Sequence, residues 1–165
     1  MTITERELEI TLPKGVSARK FDTHPLSHCM KAVDFIVELD DRIFFIEIKD
    51  PDCRGSVGES RDKEYIDDFS SGKLDEKLKT KFRDSFLYEW ASDRTKKPIY
   101  YLVLIGAESL DNALLLACTD RLKRLLPVDN RPSEWTRDFV AGCAVSNIAA
   151  WNNQFPRFPA RRVGA

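Results

Sequence analysis

Three side chains between residues 32 and 50 combine the types needed for metal-assisted attack on a phosphate ester. Asp34 lies within one apolar run, and Glu47 and Lys49 close the next one. Carboxylate oxygens are the ligands that Mg²⁺ and Mn²⁺ prefer. A nearby lysine can orient the attacking water, take its proton, or stabilise the charge that develops on the phosphate. The residue types therefore indicate a site in which Asp34, Glu47 and Lys49 act together.

Two predicted strands joined by a tight turn must position these side chains. Apolar residues dominate 33–38 and 43–46, and consecutive aspartates separate the two runs. Side chains two apart on a strand share a face, so Glu47 and Lys49 point the same way, about 6.6 Å apart along the backbone. Asp34 on the neighbouring strand can lie opposite them. A strand covered on both faces rarely tolerates Glu or Lys without partners, which marks this strand end as a candidate site.

This arrangement resembles the PD-(D/E)xK nuclease superfamily, whose members share the restriction-endonuclease-like fold. The resemblance consists of Asp34, twelve intervening residues, and Glu47-Ile48-Lys49 at the end of the second strand. It implies that Asp34, Glu47 and the backbone carbonyl of Ile48 hold Mg²⁺ or Mn²⁺, and that Lys49 serves the attacking water. The implied activity is metal-dependent hydrolysis of phosphodiester bonds, mostly those of DNA.

Two features depart from the family's pattern. The residue before Asp34 is Val33 rather than proline. The family commonly begins with a helix that supplies a further acid, whereas alternating apolar and polar residues at 8–12 predict a strand. Glu38, on the Asp34 face, is another candidate acid, or simply a surface glutamate at a strand end. If the predicted strand at 8–12 were wrong, the further acid could come from Glu5, Glu7 or Glu9.

A helix is predicted over residues 73–92, because apolar residues recur there at four-residue spacing. This stripe consists of Leu74, Leu78, Phe82 and Phe86. Lys73, Lys77 and Lys81 form a parallel basic row. Beside a strand-end acid site, such a row can bind the backbone of a nucleic acid. A solvated face explains the row equally well, with the lysines paired to Asp75, Glu76 and Asp84.

The remaining patterns predict an α/β fold with a mixed central β-sheet flanked by α-helices, as the resemblance also implies. Further strands are predicted at residues 16–22, 98–106 and 139–145, and further helices at residues 110–126 and 149–155. Ser109 or Asp111 can cap the first of these helices, and Asn147 can cap the second. At 165 residues the chain is too short for two sizeable domains, so we expect a single domain over residues 1–165.

The loops and the C-terminal segment offer weaker candidates. His24 and His28 are four residues apart, a spacing that would suit a metal site on a helix. Pro25 between them opposes a helix, so ordinary loop or capping histidines are expected. The segment 54–60 follows the proposed site as either a substrate-ordered flap or a plain connector. The basic segment 156–162 could follow a phosphate chain or dock on a neighbouring subunit, although a frayed terminus is the expected outcome.

Composition sets broad limits on class and partners. The chain is 42% apolar and 32% charged, typical of a globular protein, and no apolar run reaches the roughly 18 residues of a membrane span. With no secretory signal at the start and four scattered cysteines lacking a CxxC pair, we expect a cytoplasmic protein with reduced thiols. The net charge of −1 neither favours nor opposes nucleic-acid binding. A small domain with one active site would cut both strands of a duplex most easily as a homodimer.

Two alternatives to an active nuclease stay open. The same fold could serve without hydrolysis, as a module that binds nucleic acid or a protein partner. The chain could also be an unrelated α/β domain in which Glu47 and Lys49 form a structural ion pair. The bare spacing of the acids and the lysine arises by chance in many chains. The position of the charges, at the end of an apolar strand that follows another strand and a turn, gives the pattern its weight.

Overall fold

A five-stranded mixed β-sheet forms the centre of the computed structural model, which describes residues 1–53, 67–107 and 110–164. Along the chain the elements are β1 (Thr2–Glu5), β2 (Leu8–Thr11), β3 (Ser17–Lys20), β4 (Phe35–Glu38), β5 (Ile43–Lys49), α1 (Lys73–Ala91), β6 (Ile99–Ile105), α2 (Asn112–Leu125), β7 (Gly142–Ser146), α3 (Ile148–Gln154) and β8 (Ala160–Arg162). The predicted loop at 54–60 and the candidate cap Ser109 lie outside the described residues.

The central sheet has the strand order β3-β4-β5-β6-β7. The first three strands form an antiparallel meander, and β5, β6 and β7 run parallel to one another. Parallel neighbours need a crossover connection, and here α1 lies between β5 and β6 in the chain while α2 lies between β6 and β7. The prediction of an α/β fold with a mixed central sheet is therefore confirmed.

Apolar side chains cover both faces of the central sheet. On one face, Phe45 and Tyr101 pack against Phe82 of α1, and α2 completes this core. On the other face, Phe44 and Leu104 belong to a core shared with Trp151 of α3 and with a second sheet. Side chains alternate between the two faces along each strand, so β5 is apolar in both directions until Glu47. That residue faces α1, as Phe45 does.

A smaller antiparallel sheet, with the order β1-β2-β8, joins the two ends of the chain. Of its strands, only β2 was predicted. The expectation of a frayed C-terminal segment is wrong, because Ala160–Arg162 pairs with β2. The indole of Trp151 also donates a hydrogen bond to the Phe158 carbonyl at 2.7 Å, which fixes the segment before β8.

The helices agree closely with their predicted positions. Asp111 caps α2 by accepting a hydrogen bond from the backbone N–H of Leu114 at 2.8 Å, and Asn147 caps α3 in the same way. The strand predicted at 139–145 begins later, at Gly142, because Phe139 instead packs against aromatic rings of α1. No helix in the described parts of the chain has the length and apolar content to cross a membrane.

Arg162 ties the C-terminal strand to the end of β5. Its guanidinium donates hydrogen bonds to Asp50 Oδ1 at 2.9 Å and to the Gly106 carbonyl at 2.6 Å, and lies 3.2 Å from Glu7 Oε2. The Asp50 side chain is fully buried and follows Lys49 directly. The two ends of the chain therefore hold the point at which β5 leaves the sheet.

We expect Arg162→Met to lower the free energy of unfolding by about 2–3 kcal/mol, because the buried Asp50 carboxylate would lose its guanidinium partner. Urea denaturation measures this loss. Arg161→Met is the matched control on the same strand. Arg161 is 70% exposed and pairs with Glu9, so its replacement should cost no more than about 1 kcal/mol. Equal losses in the two variants would contradict the anchoring role of Arg162.

Candidate active site

The start of β4 and the end of β5 bring the two predicted acids together. The antiparallel register pairs Phe35 with Ile46, so Asp34, which directly precedes β4, lies beside Glu47. Asp34 is 6% exposed and Glu47 is not exposed at all. The sheet therefore holds two carboxylates side by side in its interior, on the face that α1 covers.

Asp34 is oriented by the backbone of the opposite strand. Its Oδ2 accepts a hydrogen bond from the N–H of Ile48 at 2.7 Å. The N–H and C=O of one strand residue point toward the same neighbouring strand, so the Ile48 carbonyl lies on the Asp34 side of β5. Oδ1 of Asp34 lies 3.5 Å from the ammonium of Lys81. The aspartate thus has one oxygen held by the backbone and one directed toward a cation.

Glu47 has an asymmetric environment. Its Oε1 lies 2.5 Å from the Lys49 ammonium and 2.6 Å from that of Lys81. Its Oε2 is buried and has no hydrogen-bond partner among the described residues. A buried carboxylate oxygen without a partner is costly, and a bound divalent cation would supply one. The donor set, two carboxylates and a backbone carbonyl on one side of β5, fits Mg²⁺ or Mn²⁺.

The site perturbs the protonation of its own groups. Burial raises the pKa of the Glu47 carboxyl above its ordinary value; the lysines Lys49 and Lys81 oppose this rise, and Asp34 adds to it. Burial alone would lower the pKa of the Lys81 ammonium, but Glu47 and Asp34 outweigh burial and raise it. Both shifts have the same origin, because a carboxylate pair has been placed in the protein interior. Such perturbed groups cluster at functional sites.

The predicted basic row divides into two parts. Lys73 and Lys77 are exposed and lie 3.8 and 2.7 Å from Asp68, whereas Lys81 points into the acid pair. The position of Lys81 follows from the packing of α1 against the sheet face from which Glu47 projects. The acids proposed as partners of the row instead have other contacts. Asp75 is buried against Arg121 and Cys118. Glu76 pairs with Lys79, and Asp84 accepts a hydrogen bond from the backbone N–H of Lys31.

A cleft of about 520 Å³ adjoins the acid site, because Lys49 and Lys81, which contact the acids, both line it. Its lining includes four lysines and one acid, together with an apolar and a hydroxyl side chain: Lys31, Lys49, Lys77, Lys81, Glu76, Leu78 and Thr80. The cleft is therefore cationic at neutral pH. Lys31 was not among the residues singled out in the sequence, because it lies in the loop before β4 and only the fold brings it over α1.

The other candidate acids lie away from this site. Glu38 is at the surface and pairs with Lys97 at 2.7 Å, which agrees with the surface interpretation. The three N-terminal glutamates belong to the smaller sheet or its turn and pair with basic residues there: Glu5 with Lys20, Glu7 with Arg162 and Glu9 with Arg161. The N-terminal segment forms strands, as predicted from the alternation at 8–12.

A second group of possible ligands surrounds Arg162. Ligand atoms of Glu7, Asp50 and Cys53 lie within 4.8 Å of one another. The Arg162 guanidinium contacts both carboxylates and balances one of their two negative charges. This group therefore has a structural explanation in the anchoring of β8.

His24 has a structural role. Its Nδ1 accepts a hydrogen bond from the Leu26 N–H at 3.1 Å, and its ring lies between Phe21 and Tyr88. It therefore stabilises a turn of the loop before β4, as expected for a loop or capping histidine.

The features that bear on function are local. Two buried carboxylates and two ammonium groups meet below a cationic cleft. No protein-family model matches this chain, and no curated protein or solved structure matches it.

Proposed function

We propose that this chain is a cytoplasmic, metal-dependent nuclease of the restriction-endonuclease-like class that hydrolyses phosphodiester bonds, with DNA as its substrate. The observation that carries this proposal is the fully buried Glu47 beside Asp34, with one carboxylate oxygen lacking a partner among the described residues. Glu89, which pairs with Arg19, also has a buried oxygen without a partner among the described residues, so such an oxygen alone does not indicate a metal. The second buried carboxylate, Asp34 beside Glu47, is what favours a metal site here. The free thiols of all four cysteines accord with a reducing compartment.

The order of elements around the site supports the proposal. After the acid-bearing strands, the resembled family continues with a helix and then a further core strand. Here α1 and then β6 follow β5, and β6 pairs with β5 in parallel. This packing places α1 over the face of the sheet that carries the acids.

In the proposed mechanism, Asp34, Glu47 and the Ile48 carbonyl would hold Mg²⁺ or Mn²⁺. When bound, a divalent cation polarises the phosphoryl group and makes water more acidic. The hydrogen bond from Ile48 keeps Asp34 in position for this task. The side chain of Lys49 is 30% exposed and lines the cleft. Lys49 donates hydrogen bonds to the attacking water or to a phosphate oxygen and stabilises the charge that develops during the reaction.

Cleavage assays test this proposal directly. Supercoiled plasmid, single-stranded DNA and single-stranded RNA are incubated with the protein in Mg²⁺, in Mn²⁺ and in EDTA. We expect metal-dependent cleavage of DNA and none in EDTA. Binding of these substrates without cleavage under any metal condition would instead support the alternative, a non-catalytic module.

We also propose that the active form on duplex DNA is a symmetric homodimer, since the described residues of one chain hold one such buried acid pair below the cleft. In the plasmid assay, a dimer converts supercoiled DNA to linear product with little nicked intermediate. A monomer by gel filtration that yields nicked product would overturn this part of the proposal.

The cationic cleft predicts how DNA binding depends on salt. Replacing both Lys31 and Lys77 with alanine should weaken duplex binding and reduce the slope of log K against log salt by about 2, since each lost phosphate contact removes about 0.9. Fluorescence anisotropy in EDTA over a range of KCl concentrations measures this slope. Lys96→Ala is the control, because Lys96 is exposed and pairs with Asp93 beyond the end of α1. An unchanged slope in the double variant would exclude this cleft as the phosphate-binding surface.

A further inference from the structure

Lys81 has a position that the proposed nuclease mechanism does not use. Its ammonium lies 2.6 Å from Glu47 Oε1 and 3.5 Å from Asp34 Oδ1, and the side chain is 24% exposed. Among the described residues, Lys81 is the one basic side chain that lies within ion-pair distance of both Asp34 and Glu47. A cation that bridges two carboxylates occupies the kind of place that a metal ion would take.

The local charge count shows why this matters. Two carboxylates, Asp34 and Glu47, face two ammonium groups, Lys49 and Lys81. The site is thus neutral before any metal enters, and a divalent cation added to it would meet two positive charges at close range. Of these two acids, Lys49 lies within ion-pair distance of Glu47, whereas Lys81 lies within that distance of both. Lys81 is therefore the ammonium that must leave if both acids are to hold a metal.

We propose that Lys81 is an internal counter-ion that takes the place of the divalent cation in the metal-free protein and is displaced when the metal binds. This inference rests on the metal site in the proposed function. Lys81 also lines the cationic cleft, so the displaced ammonium stays where a phosphate would enter. Lys81 thus weakens metal binding in the absence of nucleic acid.

A consequence is that metal and nucleic acid bind cooperatively. A phosphate that draws Lys81 away from the acids removes the competitor of the metal, and by linkage the metal then increases the affinity for the phosphate. This coupling should be present in the wild type and reduced when position 81 carries no charge.

Mn²⁺ titration followed by isothermal calorimetry tests the counter-ion role without an activity measurement. We expect Lys81→Met to bind Mn²⁺ about tenfold more tightly than the wild type, a difference of about 1.4 kcal/mol. Lys81→Arg, which keeps the charge, should bind as the wild type does. Lys79→Met is the matched control on α1, because Lys79 pairs with Glu76 and not with either acid. It should leave the affinity within about twofold of the wild type.

The outcomes separate this inference from the proposed function. If the wild type binds Mn²⁺, Asp34→Asn abolishes binding and Lys81→Met does not strengthen it, the counter-ion role is overturned and the metal site stands. If neither the wild type nor Lys81→Met binds Mn²⁺, both are overturned. Lys81→Gln, which can still donate a hydrogen bond to Glu47, should show the same gain in affinity and replaces the Met variant if that one does not fold.

Discussion

Lys49→Ala should lower the rate of metal-dependent DNA cleavage by about 10²–10³-fold, the effect of removing one group that stabilises developing charge. The Lys49 ammonium lies 2.5 Å from Glu47 and lines the cleft through which a phosphate would reach the acids. Asp34→Asn should cause a loss at least as large, because an amide keeps the shape of the side chain but not the charge that a metal requires. Single-turnover cleavage of a labelled duplex in Mg²⁺ measures both rates.

The control for these rates is Lys96→Ala, which removes an exposed lysine that pairs with Asp93. Its rate should match that of the wild type. Thermal unfolding of each variant establishes that lost cleavage is not lost folding. Wild-type rates in both Lys49→Ala and Asp34→Asn would contradict catalysis at this site.

Glu47→Gln should stabilise the metal-free protein at neutral pH while it abolishes stabilisation by metal. Burial raises the pKa of the Glu47 carboxyl, which means that the ionised form is disfavoured in the folded state. Each pKa unit of such a rise corresponds to about 1.4 kcal/mol, and each kcal/mol to about 2–4 °C in Tm for a chain of this size. A neutral amide avoids this cost, while Lys81 keeps Asp34 as an ion-pair partner and Lys49, 30% exposed, stays in contact with water. Thermal unfolding of both proteins in EDTA measures the first effect. Thermal unfolding in saturating Mg²⁺ or Mn²⁺, without chelator, measures the second.

The pH dependence has a defined sign. With a raised pKa, folded Glu47 retains its proton at pH values where the unfolded chain, with a carboxyl near its ordinary 4.5, has released it. The contribution of Glu47 to stability therefore falls as the pH rises from that ordinary value through the raised one, and it is lowest above both. The Tm difference between Glu47→Gln and the wild type should grow over the same interval.

A matched control for these measurements is Glu38→Gln, because Glu38 is exposed and pairs with Lys97 on the surface. Its Tm in EDTA should lie close to that of the wild type, and metal should stabilise it as it stabilises the wild type. In the wild type, metal at a hundred times its dissociation constant should add about 2.7 kcal/mol of stability. Two results together would contradict this prediction: a Glu47→Gln variant less stable than the wild type in EDTA, and equal stabilisation of both proteins by metal. Glu47 would then be neither a metal ligand nor a residue whose burial lowers stability.

The acid pair and the strands and helix around it could be predicted from the sequence, because they depend on residues close together in the chain. The strands that carry Asp34 and Glu47 are joined by a tight turn, so their antiparallel register follows from local chain geometry. The apolar stripe of α1 has the period of a helix and directs its buried face toward the sheet. Two side chains on a strand and one on its neighbour could thus be placed together without knowledge of the rest of the fold.

The partners of that site were decided by tertiary packing. Lys81 was assigned to a row with Lys73 and Lys77, because spacing along a helix does not reveal which lysine lies above a buried acid. Only the docking of α1 on β5 brings Lys81 to Glu47, and only the path of the loop before β4 adds Lys31 to the cleft.

The amino-acid sequence by itself determined the strand pair, the helix that follows it and the three residues that could do chemistry, since hydrophobic period and turn composition are local properties. Tertiary structure alone decided that β8 pairs with β2, some 150 residues away in the chain, and that Arg162 holds the end of β5. Pairing between distant strands depends on which edges remain open after the cores have formed, and side-chain period carries no information about that choice. The same reason explains the site, because the charge of a buried carboxylate is balanced by whichever cation the packing brings within reach.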